Sequence, residues 1–358
     1  MKLFLYTDVH WSETSSIIRS RGKVFSTRLE NLIASVNWAE QQAALHGCDA
    51  VVCLGDFFDK STLSAEEITA LTQLQWSNMP HYFLVGNHDA NVNDLSYAST
   101  FVFDKPNFTV VSQPMLLEPP VSILEDPCCI YLIPYILESD RKPLREYLDM
   151  LTPSYSSARA SRIVLSHNDL SGLQYGQFLS TQGFSVSEIL QQSDLFINGH
   201  LHNAGFVDDS EKILNLGNLS GQNFSEDATI YRHYGAILNT KDLSLEFLEN
   251  PYAFKFYKLQ ISSMDQLTAL RTIEGPAAVS VQCVAECLPE VKQYLQGRPE
   301  VVAARTSLLI ESSASTVVEI SELARTDYLQ QFSEYVLTHL DNTEALQKEL
   351  QLVLTGGN

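Results

Sequence analysis

Five short apolar runs, each followed by an aspartate, histidine or asparagine, constrain the fold of this chain more than any other feature. In chain order, the runs and the residues after them are Lys2–Thr7 with Asp8-Val9-His10, Asp49–Leu54 with GDFFD, His81–Val85 with GNHD, Ile163–Leu165 with SH, and Leu195–Ile197 with NGHLH. Longer segments with helical spacing of apolar residues separate the runs, as in Arg28–His46. This alternation predicts a layered α/β fold. Because ligands collect at the carboxyl ends of strands in open α/β sheets, we expect the polar side chains to meet at one site.

The side chains after the five runs are of types that bind divalent transition metals. They comprise Asp8, His10, Asp56, Asn87, His167, His200 and His202. Imidazole, carboxylate and amide oxygen together suit manganese, iron or zinc. The two members of each of the pairs Asp8/His10 and His200/His202 point the same way if the backbone is extended. The set predicts a site for two divalent ions, with Asp56 bridging them.

The charge of the chain restricts how it can bind nucleic acid. It has 23 Lys and Arg against 43 Asp and Glu, a net charge of −20. Proteins that bind nucleic acid unaided are usually basic, so a nucleic-acid substrate requires metal ions or a partner. Arg19, Arg21 and Lys23 lie close together after the first motif and are candidates for contacting a phosphodiester backbone, with a solvated loop as the alternative.

Composition predicts a folded chain without a membrane segment. No run approaches the roughly 20 apolar residues that span a bilayer, and Asp8 interrupts the apolar opening segment. The six cysteines include no CxxC pair, which favours reduced, buried thiols. We therefore expect a cytoplasmic protein.

The sequence changes character after the aromatic-rich segment 251–257. Strands at Ala277–Val284 and Val302–Ile310, with a helix at Glu290–Leu295 between them, predict a small α/β domain. Two apolar stripes then predict two short helices, formed by Leu329, Phe332, Val336 and Leu340 and by Leu346, Leu350 and Val353. The predicted segments are 1–250, 251–322 and 323–358.

The ordered motifs DxH, GDxxD, GNHD, H and GHxH resemble those of the calcineurin-like metallophosphoesterases. The resemblance implies a β-sandwich flanked by helices and two divalent ions, with manganese favoured. It implies that one ion is held by Asp8, His10, Asp56 and His202, and the other by Asp56, Asn87, His167 and His200. It further implies that His88 polarises the phosphoryl oxygen or protonates the leaving group, and that Asp89 orients His88. Such a site hydrolyses a phosphoester by in-line attack on phosphorus.

The layout of the chain resembles the SbcD-type nuclease subunits, and most closely the recombination endonuclease subunits of T-even-type phages. The segments that carry this resemblance are GDFFD, SHNDLSG and GHLHNAG followed by ILNLGNLSGQNFSED, and then a capping domain and helical tail. In relatives, the loop matching Ser220–Asp227 lies near the active site. The resemblance implies a metal-dependent DNA exonuclease or endonuclease in recombination or repair. It also implies a homodimer that works with an SMC-like ATPase of the SbcC type, and we expect the 323–358 tail to dock on that partner.

Two other functions remain open at this point. A phosphodiesterase or phosphomonoesterase acting on a cyclic nucleotide or nucleotide would carry the same motifs. A non-catalytic interaction subunit would keep the fold, but every ligand position here holds a competent side chain. An assay that compares activity on DNA with activity on a small diester distinguishes the two enzymes.

Overall fold

Two six-stranded sheets dominate the computed structural model, which describes residues 1–14, 22–91, 94–103, 105–117, 128–151, 160–175 and 178–309. The first sheet has the strand order Ser244–Glu249, Tyr234–Asn239, Lys2–Tyr6, Ala50–Cys53, His81–Leu84 and Phe108–Val111. The second has the order Gly205–Phe206, Ile213–Asn215, Leu195–Asn198, Ser161–Ser166, Cys128–Ile133 and Met115–Leu117. Four adjacent strands of each sheet are parallel; the antiparallel strands lie at one side of the first sheet and at both edges of the second.

The first strand shows how the layers are held together. Its side chains alternate in direction, as in any β-strand. Leu3 and Leu5 join a buried cluster with residues of the second sheet, including Ile163 and Leu165. Phe4 and Tyr6 point the other way into a cluster with the first long helix. The strand is buried on both faces, which explains its nearly continuous apolar sequence.

Helices cover the outer faces of both sheets. The α-helices are Thr27–Leu45, Ala65–Leu71, Leu144–Met150, Val186–Gln192 and Leu288–Gln296, and the 3-10 helices are Ser99–Val102, Glu138–Asp140, Met264–Thr272 and Ala285–Cys287. Ser26 and Ser64 cap the first two α-helices, with their hydroxyl oxygens accepting from backbone N–H groups. The predicted sandwich flanked by helices is confirmed. No helix among the described residues is long and apolar enough to cross a membrane.

A third sheet follows the sandwich. Its three parallel strands, Lys255–Ile261, Ala277–Cys283 and Val301–Leu308, share a separate buried cluster with the helix Leu288–Gln296. Residues 1–309 form one compact unit. The boundaries predicted at 250 and 322 stay predictions, and the 323–358 tail lies outside the described residues.

Short two-stranded ribbons complete the connections. They pair Ala90–Asn91 with Asp94–Ala98, Leu170–Ser171 with Phe184–Ser185, and Gln174–Tyr175 with Phe178–Leu179. The first of these follows the GNHD motif directly, and the second follows His167. Both therefore lie close in sequence to the strand ends where the predicted ligands are found.

Candidate metal centre

The carboxyl ends of the central strands of both sheets meet at one edge of the sandwich. The His167 ring donates through Nδ1 to the Leu54 carbonyl oxygen at 2.7 Å, which ties the second sheet to the first. The His200 backbone N–H donates to Asp8 Oδ2 at 3.0 Å across the same gap. These links join four of the five motifs, and the GNHD motif is joined to them by the His88 backbone N–H, which donates to Asp56 Oδ1 at 2.8 Å.

One group of side chains is formed by Asp8, His10 and His202. Asp8 Oδ1 lies 3.7 Å from His10 Nε2 and 3.9 Å from His202 Nε2. The two Nε2 atoms are 3.1 Å apart. Asp8 Oδ1 is buried and has no hydrogen-bond partner among the described residues. An unpaired carboxylate oxygen that faces two imidazole nitrogens fits a divalent cation, because a cation satisfies all three acceptors together.

A second group is formed by Asp56, Asn87, His167 and His200. His167 Nε2 lies 3.1 Å from Asp56 Oδ2 and 3.3 Å from Asn87 Oδ1. Asn87 Oδ1 also lies 2.9 Å from His200 Nδ1. Two oxygens and two nitrogens therefore converge, a donor set that suits a transition metal.

Asp56 lies between the two groups. Its Oδ2 atom, 3.1 Å from His167, is also 3.9 Å from His10 Nε2 in the first group. Burial raises the pKa of Asp56, but the charges of His167 and His10 outweigh burial and hold it at about 2. A permanently ionised carboxylate in this position suits the bridging role.

The backbone at these positions corrects one expectation. Asp8, His10, Asp56 and His200 have φ values of 50°, 48°, 48° and 72°, so the motif pairs are not extended. Each of these residues adopts the left-handed conformation, which is uncommon for residues other than glycine. Backbone bonds stabilise the turns, including Asp8 N–H to the Gly55 carbonyl at 3.1 Å and His10 N–H to the Asp56 carbonyl at 3.0 Å. The pairs share a site because the chain turns between their members.

Three carboxylates that the motif analysis did not assign orient the histidines. Asp59 Oδ1 lies 3.2 Å from His10 Nδ1. The other two contacts join Asp169 Oδ1 to His200 Nε2 at 3.0 Å, and Glu226 Oε1 to His202 Nδ1 at 2.8 Å. A carboxylate on one ring nitrogen fixes the tautomer and leaves the other nitrogen free to bind metal.

Electrostatics at the centre favour added positive charge. Burial lowers the pKa of His10, but its hydrogen bond with Asp59 and the nearby carboxylates outweigh burial and raise it to about 10. Burial likewise lowers the pKa of His167, while Asp56 and other carboxylates raise it to about 9. The buried carboxylates thus attract protons onto the histidines, and divalent ions would take the place of those protons.

His88 lies at the solvent-exposed mouth of the centre. Its ring centroid is 4.7 Å from that of His10 in an edge-on arrangement. His88 Nδ1 donates to the Asp59 carbonyl oxygen at 3.1 Å, and the His88 backbone N–H donates to Asp56 Oδ1 at 2.8 Å. A ring nitrogen of this exposed imidazole lies within 4.8 Å of ligand atoms of His10 and Asp56, so His88 adjoins the candidate metal ligands.

Asp89 does not orient His88, contrary to the expectation from the resemblance. Its buried carboxylate accepts from the backbone N–H groups of Phe58 and Gly86, both at 2.8 Å. It therefore ties the GDFFD and GNHD loops together. Burial, followed by the charge of Asp56, raises the pKa of Asp89 to about 7. The contact that orients His88 comes from Asp59 instead.

The predicted DNA-contacting residues are only partly described. Lys23 is exposed, whereas Arg19 and Arg21 lie outside the described residues. Their role stays a prediction.

Glu226→Gln is expected to weaken metal binding about 10–100-fold, the usual cost of losing a ligand's outer partner. Glu226 is buried and also accepts from Asn218 Nδ2 at 2.8 Å and Gln222 N–H at 2.7 Å. A glutamine places an amide N–H₂ among these donors, and this weakens the hydrogen bond to His202 Nδ1. Titration with Mn²⁺ measures the effect, with the exposed Glu146→Gln as control. Wild-type affinity in Glu226→Gln would contradict the orienting role.

The family model for calcineurin-like phosphoesterases matches residues 1–204, a span that includes every predicted metal ligand. The chain belongs to this family. Calcineurin-like phosphoesterases use divalent metals to hydrolyse phosphoester bonds, and the two groups of Asp and His side chains provide for those ions. No curated protein shows significant sequence similarity to the chain.

Three solved structures illustrate the similarity of this calcineurin-like phosphoesterase to others. An archaeal phosphodiesterase is 14% identical, with a TM-score of 0.33, and the match covers 70% of this chain and 99% of that chain. A dimetal phosphatase from Danio rerio is 12% identical, with a TM-score of 0.41, covering 70% and 95%. A 5′-nucleotidase from Candida albicans is 12% identical, with a TM-score of 0.36, covering 69% and 51%.

The residues of the centre have separate roles in phosphoester hydrolysis. Two divalent ions, when bound, supply Lewis acidity and activate water for attack on phosphorus. Asp56 holds the two groups of ligands together, and Asp59, Asp169 and Glu226 hold three histidines in the ligating orientation. His88 would be the residue that polarises a phosphoryl oxygen or donates a proton to the leaving oxygen, because an imidazole N–H donates hydrogen bonds.

Proposed function

We propose that this phosphoesterase is a metal-dependent DNA nuclease that hydrolyses phosphodiester bonds in recombination, repair or end processing. The observation that best supports the proposal is the loop 220–227 after the GHLH motif. Through Glu226 the loop contacts the metal ligand His202 at 2.8 Å. Its Phe224 packs with Phe254 and Phe256 at the third sheet. A loop that joins the last metal motif to an additional sheet matches the SbcD-type layout.

A specific observation favours a second candidate, a phosphodiesterase or phosphomonoesterase for small nucleotides. The chain carries a net charge of −20, and among the described residues no Lys or Arg lines the cleft beside His200 and His202. A long DNA backbone usually binds to cationic side chains, whereas a small ester needs only the metal ions.

A direct assay separates the two candidates. The wild-type protein with Mn²⁺ is given end-labelled single- and double-stranded DNA, and in parallel a cyclic nucleotide and a chromogenic diester. The nuclease proposal predicts cleavage of DNA with a higher kcat/KM than either small ester. Turnover of the small esters without DNA cleavage would establish the second candidate.

Manganese is the metal that we propose for this centre, and it is expected to support hydrolysis at least about tenfold faster than magnesium. Imidazole nitrogens supply half of the side-chain donors of each group, whereas Mg²⁺ prefers oxygen ligands. Rates are measured across titrations of each ion after chelator treatment. Equal rates at saturation would contradict the ligand set.

An SMC-like ATPase of the SbcC type is the partner that we propose, with the enzyme as a homodimer. Such a partner would supply the cationic DNA-binding surface that an acidic chain lacks. The predicted docking element is the 323–358 tail, whose two apolar stripes suit helix-in-groove binding.

Truncation after Ser321 is expected to preserve metal binding and basal cleavage while removing ATP-stimulated cleavage by the complex. Short amphipathic helices gain stability only when their apolar face is buried, which a partner surface would provide. Copurification and cleavage assays with and without ATP measure the effect. Full affinity of the truncated chain for the ATPase would contradict docking through the tail, as would unfolding of the truncated chain.

A further inference from the structure

A cleft of about 670 Å³ opens directly beside the metal centre and has no role in the chemistry above. His200 and His202 form one end of it, so anything bound there adjoins a phosphoester on the metals. Its walls include Leu173, Phe206 and Tyr231, and Asn215 also lines it. The cleft therefore combines apolar surface with a buried amide next to the reacting centre.

Two aromatic rings, those of Phe206 and Tyr231, line the cleft. Phe206 is 40% exposed at the end of an edge strand, and Tyr231 is half-buried. Neither ring pairs with another aromatic ring in the part of the chain that the structure describes. Apolar surface left in water at the edge of a catalytic site is a typical feature of a binding surface.

Asn215 lines the cleft and carries an unsatisfied acceptor. The residue is 3% exposed, and its Nδ2 donates to the carbonyl oxygens of Leu201 and Asn203. These two bonds fix the amide orientation, because only the nitrogen can donate. Oδ1 is buried and accepts no hydrogen bond from any described residue. A buried acceptor without a donor is costly, and a ligand N–H would satisfy it.

We propose that this cleft binds the unpaired nucleobase next to the phosphate that is hydrolysed. The inference rests on the proposed nuclease function and adds a base-binding subsite to it. A base offers a flat face for stacking on Phe206 or Tyr231, and stacking is tolerant of sequence. Each of the four bases carries an N–H donor on its pairing edge for Asn215 Oδ1, provided that the base is unpaired. The lining that the described part of the chain provides contains no Lys or Arg, which agrees with a site for a base rather than a phosphate.

The test compares a short single-stranded oligonucleotide with a matched one in which abasic residues replace the nucleotides. For the wild-type protein with Mn²⁺, the abasic substrate is expected to have a KM about tenfold higher, the usual scale for losing a stacked base. Phe206→Ala and Tyr231→Leu are each expected to raise the KM for normal DNA about tenfold. In each variant, the KM for the abasic substrate should be no higher than the KM for normal DNA.

Phe247→Ala is the matched control, because Phe247 is 39% exposed on the edge strand of the first sheet and does not line the cleft. It should behave as wild type, and all three variants should keep wild-type metal content. Equal KM of the wild-type protein for both substrates would overturn the subsite, as would a Phe206→Ala profile identical to that of Phe247→Ala. Failure of the wild-type protein to cleave either DNA would instead overturn the proposed nuclease function, and the subsite with it.

Discussion

Asp56→Asn is expected to lose both metal ions and to lose phosphoester hydrolysis. Asp56 Oδ2 lies 3.1 Å from His167 Nε2 and 3.9 Å from His10 Nε2, so it serves both groups of ligands. The substitution removes the negative charge and puts either an amide N–H₂ or a weaker oxygen at this position. Because a two-metal site depends on its shared ligand, both ions are affected.

Metal analysis after dialysis, together with initial rates in Mn²⁺, measures this effect. The exposed Asp265→Asn is the control for a lost carboxylate elsewhere in the chain. Circular dichroism establishes that the fold is intact. Retention of two ions by Asp56→Asn would exclude the bridging role.

His88→Ala is expected to reduce hydrolysis about 10²–10⁴-fold, the range for loss of a general acid or base. The same variant should keep its metal ions, because His88 Nδ1 is bonded to the Asp59 carbonyl oxygen and the ring is half-exposed beside the ligands. The substitution should therefore lower kcat and leave the affinity for metal unchanged.

Rates and metal content of His88→Ala are compared with those of His46→Ala, which alters a histidine at the end of the first long helix. The control should match wild type in both measurements. Loss of both ions from His88→Ala would make His88 a ligand and would contradict its role toward the substrate.

The ligand set was accessible from sequence because two independent signals coincide. Apolar runs indicate buried strands, and the residues directly after them are of the types that bind divalent metals. The structure brings Asp8, Asp56, His167 and His200 together at one edge of the sandwich. Their left-handed backbone was not predictable, since residue type alone does not specify φ at these positions.

The orienting carboxylates were not accessible in the same way. Asp59 lies inside the GDFFD motif, but Asp169 and Glu226 contact their histidines only through the fold. In a chain with 43 Asp and Glu, no spacing distinguishes these two from surface carboxylates. Asp89 illustrates the opposite error, because the family resemblance implied a contact with His88 that the structure does not show; the carboxylate bonds to Phe58 and Gly86 N–H instead.

Several strands were missed for a related reason. Ser244–Glu249 forms the exposed edge of the first sheet, and its mixed SLEFLE sequence lacks the apolar run of a buried strand. Lys255–Ile261 falls in the aromatic-rich segment where the sequence indicated only a change in character. Ser244–Glu249 is defined by its hairpin with Tyr234–Asn239, and Lys255–Ile261 by pairing with Ala277–Cys283; a search for apolar runs detects neither kind of pairing.

Electron paramagnetic resonance during titration with Mn²⁺ tests the two-metal centre most directly. A bridging Asp56 predicts that the second equivalent per chain replaces the hyperfine lines of isolated Mn²⁺ with an exchange-coupled spectrum, and that hydrolysis rises with that second equivalent. Saturation at one equivalent, or two bound ions without exchange coupling, would contradict the centre described here.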